Sequence, residues 1–242
     1  MPDNIHVQDL KREVLSLSNK QRADFVQKYF KTGAGQYGEG DIFAGLSTSD
    51  IRKIATKYRG LSTADIERAL QDEVHEMRSV ALVIMAAQYK RAPEATKKKY
   101  FDLYLGNTGY INNWDLVDIS APYIIGDYLL GKDRGILYTL AKSPSLWERR
   151  IAIMSTFAFI KNGEVADTLN IARLLLDDDH DLIHKASGWM LREVGKRGNQ
   201  KALEQFLDEN IRYMPRTMLR YAIEKFPESK RQHYLSIKKT PK

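Results

Sequence analysis

Residues 112–118, Asn-Asn-Trp-Asp-Leu-Val-Asp, carry the side chains best suited to chemistry in this chain. The asparagine pair predicts a helix N-cap, because a short side-chain oxygen can accept from the first unpaired N–H groups of a helix. A helix that begins there places Trp114 and Asp118 on one face, whereas Asp115 points elsewhere and is interpreted as a cap and dipole partner. Asp118 lies between aliphatic residues beside a large ring, where a carboxylate is usually paired or functional. We therefore treat Asp118 as the first candidate for catalysis.

Two further tryptophans are followed by an arginine at helical spacing. Arg150 lies three residues after Trp147, and Arg192 lies three residues after Trp189, so each guanidinium is expected beside an indole. Each tryptophan alone would more simply pack between helices. Arginine binds phosphate through paired hydrogen bonds and indole packs on sugar, so a surface with both suits a sugar–phosphate backbone. Other basic residues that could extend this phosphate-binding track are Arg149, Lys196, Arg197, Lys201, Arg212, Arg216 and Arg220.

The composition narrows the classes of partner. The 242 residues include 38 Lys and Arg against 31 Asp and Glu, and this formal net charge of +7 favours a polyanionic partner. The chain has no cysteine, which excludes disulfides and thiolate metal sites, and its five histidines form no ligand array. We therefore predict neither a metal nor a cofactor. Because no apolar stretch approaches the length of a membrane span, we also predict a cytoplasmic protein without membrane contact.

Helices must position these residues. Apolar residues recur at helical spacing, no run alternates as in a strand, and the tryptophans mark helix pairs that repeat at intervals of about 40 residues. We predict an all-α fold: a right-handed α-α superhelix, or solenoid, of HEAT-like helix pairs with a concave DNA-binding face. It would form a single domain over residues 1–235, followed by a disordered basic tail over residues 236–242.

Several predicted elements bear directly on the candidate residues. One helix is expected over residues 113–130, interrupted near Pro122, and further helices over residues 145–160 and 215–226. Residues 33–41 contain four glycines, which predicts a surface loop whose role is left open.

These motifs, in this order, resemble the AlkD-type DNA alkylation repair proteins, the HEAT-like-repeat DNA glycosylases. The resemblance rests on Trp-Asp-Leu-Val-Asp at residues 114–118, Trp-Glu-Arg-Arg at 147–150 and Gly-Trp-Met-Leu-Arg-Glu at 188–193. It covers most of the chain, from about residue 20 to about residue 225. Their order and spacing make the resemblance more specific than any one motif.

The resemblance implies an enzyme that excises cationic alkylpurines, such as 3-methyladenine and 7-methylguanine, from double-stranded DNA. It implies a monomer without a metal or an organic cofactor, associated with the nucleoid when bound to DNA. Asp118 corresponds to the family's catalytic acid. Trp114 and Trp189 correspond to its deoxyribose-contacting aromatic residues, and Arg150 corresponds to its phosphate-binding basic residue. The family's tyrosine on the second helix aligns near Phe25, with Tyr29 one turn further on and Tyr37 in the glycine-rich loop as other candidates.

Hydrolysis of such a lesion requires only one catalytic carboxylate. Alkylation puts a positive charge on the purine, which makes it a good leaving group without protonation. The transition state then concentrates positive charge on the deoxyribose, as in glycoside hydrolysis. The Asp118 carboxylate could stabilise that charge and orient the attacking water. No lysine is marked as a Schiff-base nucleophile, so a monofunctional enzyme is expected.

Two other classes of protein also fit the sequence. A non-catalytic solenoid of the same architecture could bind distorted or branched DNA, although an acid on a DNA-facing surface weakens phosphate binding unless it does chemistry. A HEAT-type protein-interaction scaffold would have no nucleic-acid role. A salt titration of duplex binding separates the classes, because a steep fall in affinity indicates phosphate contacts and a lack of binding at low salt indicates the scaffold.

Overall fold

The computed structural model describes residues 6–238, and all of the regular secondary structure in this range is helical. The chain divides into two compact units, Met1–Ser120 and Ala121–Lys242. No strand forms among the described residues, although Ile42 and Val74 make an isolated parallel bridge. None of the helices in residues 6–238 is both long and apolar enough to span a membrane. The predicted all-α fold class is therefore confirmed.

The first unit is built around one buried helix. Its elements are α1 (Val7–Ser16), α2 (Lys20–Tyr29), α3 (Thr48–Lys57), α4 (Thr63–Leu70), α5 (His75–Arg91), α6 (Glu94–Gly106), a 3-10 turn (Thr108–Tyr110) and α7 (Trp114–Asp118). Helix α5 contacts α1, α3, α4, α6 and α7. Most of its length is apolar around the whole circumference, as is typical of a helix enclosed by others.

The second unit is built around α12 in the same way. Its elements are a π-helical turn (Pro122–Gly126), α8 (Gly135–Leu140), α9 (Leu146–Ser155), α10 (Phe157–Lys161), α11 (Ala166–Leu174), α12 (Asp181–Lys196), α13 (Gln200–Asn210), α14 (Arg216–Ala222) and α15 (Glu228–Ser236). Helix α12 contacts α9, α10, α11, α13 and α14. Gly188 allows α14 to approach closely, because a Cβ there would lie 2.5 Å from the Met218 carbonyl oxygen.

Two predicted helices differ in the structure, and one helix was not predicted. The helix expected over residues 113–130 has its predicted interruption near Pro122, but the break is longer: α7 ends at Asp118 and the chain continues as the π-helical turn at Pro122, which lacks an N–H. The helix expected over residues 145–160 is broken at Thr156, whose hydroxyl bonds to a backbone carbonyl of the preceding turn. Helix α15 was not predicted, because its sequence is mostly polar and buries only Tyr234.

The C-terminal end is partly described. Helix α15 ends at Ser236, and the carbonyl oxygen of Ile237 accepts from Arg216 at 3.0 Å. The rest of the predicted disordered tail, residues 239–242, lies outside the described residues. The single-domain boundary at residue 235 stays a prediction.

A buried carboxylate fixes the segment that leads into α3. Glu76, in the first turn of α5, accepts from the backbone N–H groups of residues 44–46 at 2.8, 2.8 and 3.2 Å. Within that segment Gly45 has a φ of +83°, and a Cβ there would lie 2.3 Å from the Asn19 carbonyl oxygen and 2.7 Å from the Ala23 nitrogen. Only glycine therefore fits at this close approach to α2.

Gly45→Ala should lower the free energy of unfolding by about 2 to 4 kcal/mol, because it adds both backbone strain and a steric clash. The matched control is Gly40→Ala, since Gly40 has a similar φ of +84° but open space around its Cα. We expect the control to lose only about 1 kcal/mol. Urea unfolding followed by circular dichroism measures both values, and equal losses would contradict the steric account.

Candidate active site

The predicted Trp-Asp motif forms a very short helix in the first unit. Helix α7 contains five residues, and the side chain of Asn113 caps it by accepting from the Trp114 N–H at 2.8 Å. Leu116 and Val117 are fully buried and hold the helix against the core. The other two positions of interest, Trp114 and Asp118, are half-buried and are four residues apart, so they lie on the same helical face.

The indole of Trp114 packs on a stack of two phenylalanine rings. Its indole stacks on Phe30 with ring centroids 5.1 Å apart and planes at 20°, and Phe30 stacks in the same way on Phe43. Tyr29 contacts the indole edge-on at 6.1 Å and is 59% exposed. Tyr29 is therefore the candidate aromatic of α2 that stands beside the motif, whereas Phe25 points out with 70% exposure. Tyr37 is half-buried in the glycine-rich loop.

A polar network lies under the start of α7. The imidazole of His75, at the beginning of α5, bonds through Nδ1 to Asp41 Oδ2 at 3.1 Å and through Nε2 to Asp115 Oδ2 at 2.9 Å. The second oxygen of Asp41 pairs with Arg78, and Asn113 Nδ2 donates to Asp41 Oδ2 at 3.1 Å. Asp115 is therefore more than the cap and dipole partner expected from the sequence. It is a partner of a buried histidine.

The two carboxylates determine the charge of this histidine. Burial alone lowers the pKa of His75, but the charges and hydrogen bonds of Asp115 and Asp41 outweigh it and raise the pKa to about 9. Burial raises the pKa of Asp41, yet His75 and Arg78 more than offset it and hold that pKa below its usual range. His75 is therefore an imidazolium near neutral pH, and it faces two carboxyl groups.

The candidate acid Asp118 lies near a different, neutral group. The Tyr104 hydroxyl and Ser120 Oγ are 2.9 Å apart, and Ser120 Oγ also donates to the Leu116 carbonyl at 2.5 Å. Complete burial raises the pKa of Tyr104, and the negative charge of Asp118 raises it further. Asp118 is thus within electrostatic reach of a phenol that stays protonated.

The predicted phosphate ligands of α9 are engaged inside the second unit. Arg149 pairs through Nε with Asp178 at 2.6 Å and donates through Nη1 to two backbone carbonyls. Arg150 is 4% exposed and donates through Nη1 to the Leu182 carbonyl at 2.7 Å, and Trp147 is buried. Their phosphate-binding role stays a prediction, and these contacts give both arginines a structural role as well.

Helix α12 carries Trp189 and the more accessible basic residues. Trp189 is half-buried, and Lys196 and Arg197 are exposed at the end of the helix. Buried Glu193 interacts with Arg197 at 3.3 Å and with Lys196 at 3.9 Å. Arg192 pairs with Glu224. Lys196 and Arg197 are therefore more accessible than Arg149, Arg150 and Arg192, and the track residues Lys201, Arg212 and Arg220 are exposed as well.

Sequence reasoning missed Asp41 and His75. A signal was present, because the polar residues His75, Glu76 and Arg78 precede an apolar run over residues 80–87 of the same helix, and buried polar residues require partners. The partners could not be identified, since Asp41 and Asp115 are distant in sequence. Within residues 6–238 no His, Cys, Asp and Glu side chains form a group that could hold a metal ion.

The free energy of unfolding should fall as the pH rises from about 6.5 through about 9. The folded-state pKa of His75 is about 9, above the ordinary value of 6.5, so its stabilisation is complete below 6.5 and is lost as the pH passes 9. The loss should be on the order of 3 kcal/mol. Urea unfolding across this range measures it. Asp115→Asn should flatten the curve, and coincident wild-type and variant slopes would contradict the assignment.

Known proteins similar to this chain share one description. A family model described as DNA alkylation repair enzyme matches residues 10–226. Among solved structures, the chain is similar to a predicted DNA alkylation repair enzyme from Enterococcus faecalis, with a TM-score of 0.66 and 16% identity over 87% of this chain and 97% of that one. The comparison with curated proteins gave no match. Because the family model spans most of the sequence, this chain belongs to the DNA alkylation repair enzyme family.

Proposed function

We propose that this protein is a DNA N-glycosylase that hydrolyses the bond between deoxyribose and a positively charged alkylpurine in duplex DNA. Family membership supports a DNA repair role. The observation that carries the finer proposal is the pair Trp114 and Asp118, which share one accessible face of α7. The substrates would be lesions of the 3-methyladenine and 7-methylguanine type.

In the proposed reaction Asp118 acts on the sugar and on water. The bond between C1′ and the purine nitrogen breaks, and its electron pair neutralises the positive charge of the alkylated ring. The Asp118 carboxylate stabilises the positive charge that develops on the deoxyribose. A water oxygen then bonds to C1′, and the carboxylate accepts its proton. No general acid is required, because the leaving base is already cationic.

Aromatic faces would assist the same transition state. The π face of an indole attracts a nearby cation through its quadrupole. Trp114 is suited to this role, because Phe30 stacks on the indole and Tyr29 makes a T-shaped contact with it. Trp189 is half-buried on α12, and its deoxyribose contact stays a prediction. Rigid placement matters because a transition-state interaction must be in position before charge develops.

Asp118→Asn should reduce the release of 7-methylguanine and 3-methyladenine from alkylated duplex DNA by at least about a hundredfold, because the isosteric amide removes the stabilising charge. Single-turnover base release, followed by chromatography, measures the rate. The matched control is Asp102→Asn, which removes an exposed carboxylate of α6, and it should keep the wild-type rate.

Each other outcome of this experiment is decisive. Equal release by wild type and Asp118→Asn would keep the glycosylase but exclude Asp118 as its catalytic acid. DNA binding by both proteins without any release would make this chain a non-catalytic DNA-binding member of the family.

Lys196→Gln should weaken duplex binding at every sequence and reduce the salt dependence of the affinity by about one counterion, because a phosphate contact is lost. Fluorescence anisotropy with an undamaged duplex at several salt concentrations measures the slope. Lys98→Gln, in the first unit, removes an equally exposed lysine that pairs with Asp102, and it should keep the wild-type slope. Equal slopes for all three proteins would exclude Lys196 as a phosphate ligand.

A further inference from the structure

Helix α7 cannot hold its own position. It contains only five residues, and isolated helices shorter than about 12 residues are marginal in water. The burial of Leu116 and Val117 keeps the helix on the core but fixes no direction, because apolar contacts are not directional. The hydrogen bonds that join it to the end of the glycine-rich loop and to α5 are made by residues at its start, whereas Ser120, just beyond its end, bonds to Tyr104. Asn113 donates to Asp41, and Asp115 bonds to His75.

We propose that His75 is a positioning residue for the proposed glycosylase, orienting α7 through Asp115 and thereby fixing Trp114 and Asp118. The inference rests on the proposed function and assigns a role to a group that does not touch the substrate.

The contacts of the His75 imidazole show how it can orient α7. Each ring nitrogen of His75 has a carboxylate oxygen within 3.1 Å, and carboxylates only accept. The ring can donate to both only when both nitrogens carry protons. Its face lies on Phe43, with centroids 4.3 Å apart, and Phe43 belongs to the stack that supports Trp114. One imidazolium therefore contacts both the polar and the aromatic supports of the motif.

The charges that face His75 come from three segments. Asp41 ends the glycine-rich loop, Asp115 lies on α7, and Arg78, on α5, pairs with the far oxygen of Asp41. The neighbouring Glu76 is turned to the backbone of residues 44–46. The four-residue network of Asp41, His75, Arg78 and Asp115 is thus neutral while the imidazole is protonated. Loss of one proton leaves two carboxylates in contention for a single N–H.

The consequence for catalysis should appear in the rate and not in DNA affinity. A carboxylate displaced by about 1 Å from its reacting centre can lose about a hundredfold in rate. Phosphate contacts made elsewhere on the surface would be unaffected. A purely structural histidine would instead change stability and leave the rate constant of the folded protein and its pH profile unchanged.

The test is single-turnover release of 7-methylguanine at saturating protein, from pH 6 to pH 10, together with duplex affinity. The wild-type rate should fall as the pH passes about 9. Asp115→Asn should be about tenfold to a hundredfold slower at pH 7, with duplex affinity within about twofold and its alkaline limb moved to lower pH. Asp115→Glu, which keeps the charge, should recover part of the rate. A wild-type rate and profile in Asp115→Asn would overturn the proposal.

A second readout works even if no base is released. NMR follows the His75 imidazole, assigned by its loss in His75→Gln, and the indole N–H of Trp114 across the same pH range. We expect both signals to titrate together near pH 9 in the wild type and at lower pH in Asp115→Asn. Titration of His75 without any response of Trp114 would overturn the positioning role. Absence of base release with coupled titration would instead refute only the proposed activity.

Discussion

A buried imidazolium between two carboxylates is the constraint on which the first unit depends. Ionised groups are costly to bury unless each has a partner, and removal of one partner typically costs about 3 to 5 kcal/mol. His75, Asp41 and Arg78 are almost completely buried and mutually paired. Because these residues belong to a loop and to α5, while Asp115 belongs to α7, the pairing fixes three distant segments against one another.

Apolar packing supplies what the charges do not. The stack of Phe43, Phe30 and Trp114 fills the space between α2, the loop end and α7. Glu76 and Gly45 hold the following segment close to α2. The indole of Trp114 is therefore supported by a stacked Phe30 and by a T-shaped contact with Tyr29 while it stays half-exposed. Because its neighbours already fix its rotamer, this side chain loses little conformational entropy when it binds a ligand.

The three carboxylates around α7 have different environments and hence different capacities. Asp41 and Asp115 each bond to the cationic side chain of His75, so their charges stabilise the folded structure. Asp118 is half-exposed and lies near the neutral hydroxyl of Tyr104. Its position on the same helical face as Trp114 is the basis for the catalytic role proposed for it. Family membership supports a role in DNA repair.

The sequence by itself determined the all-helical class, the family and the short stretch that contains Trp114 and Asp118. These are properties of local periodicity and of motif spacing, which the order of residues encodes directly. The sequence also predicted the interruption near Pro122, because the lack of a backbone N–H is a property of proline itself.

Only the tertiary structure decided which side chains became partners. It placed His75 against Asp41 and Asp115, selected Tyr29 over Phe25 as the neighbour of Trp114, and turned Arg149 and Arg150 toward internal acceptors. No local pattern specifies such contacts, since they join residues tens of positions apart. Burial then fixes the charge of each group through the partners that folding brings to it.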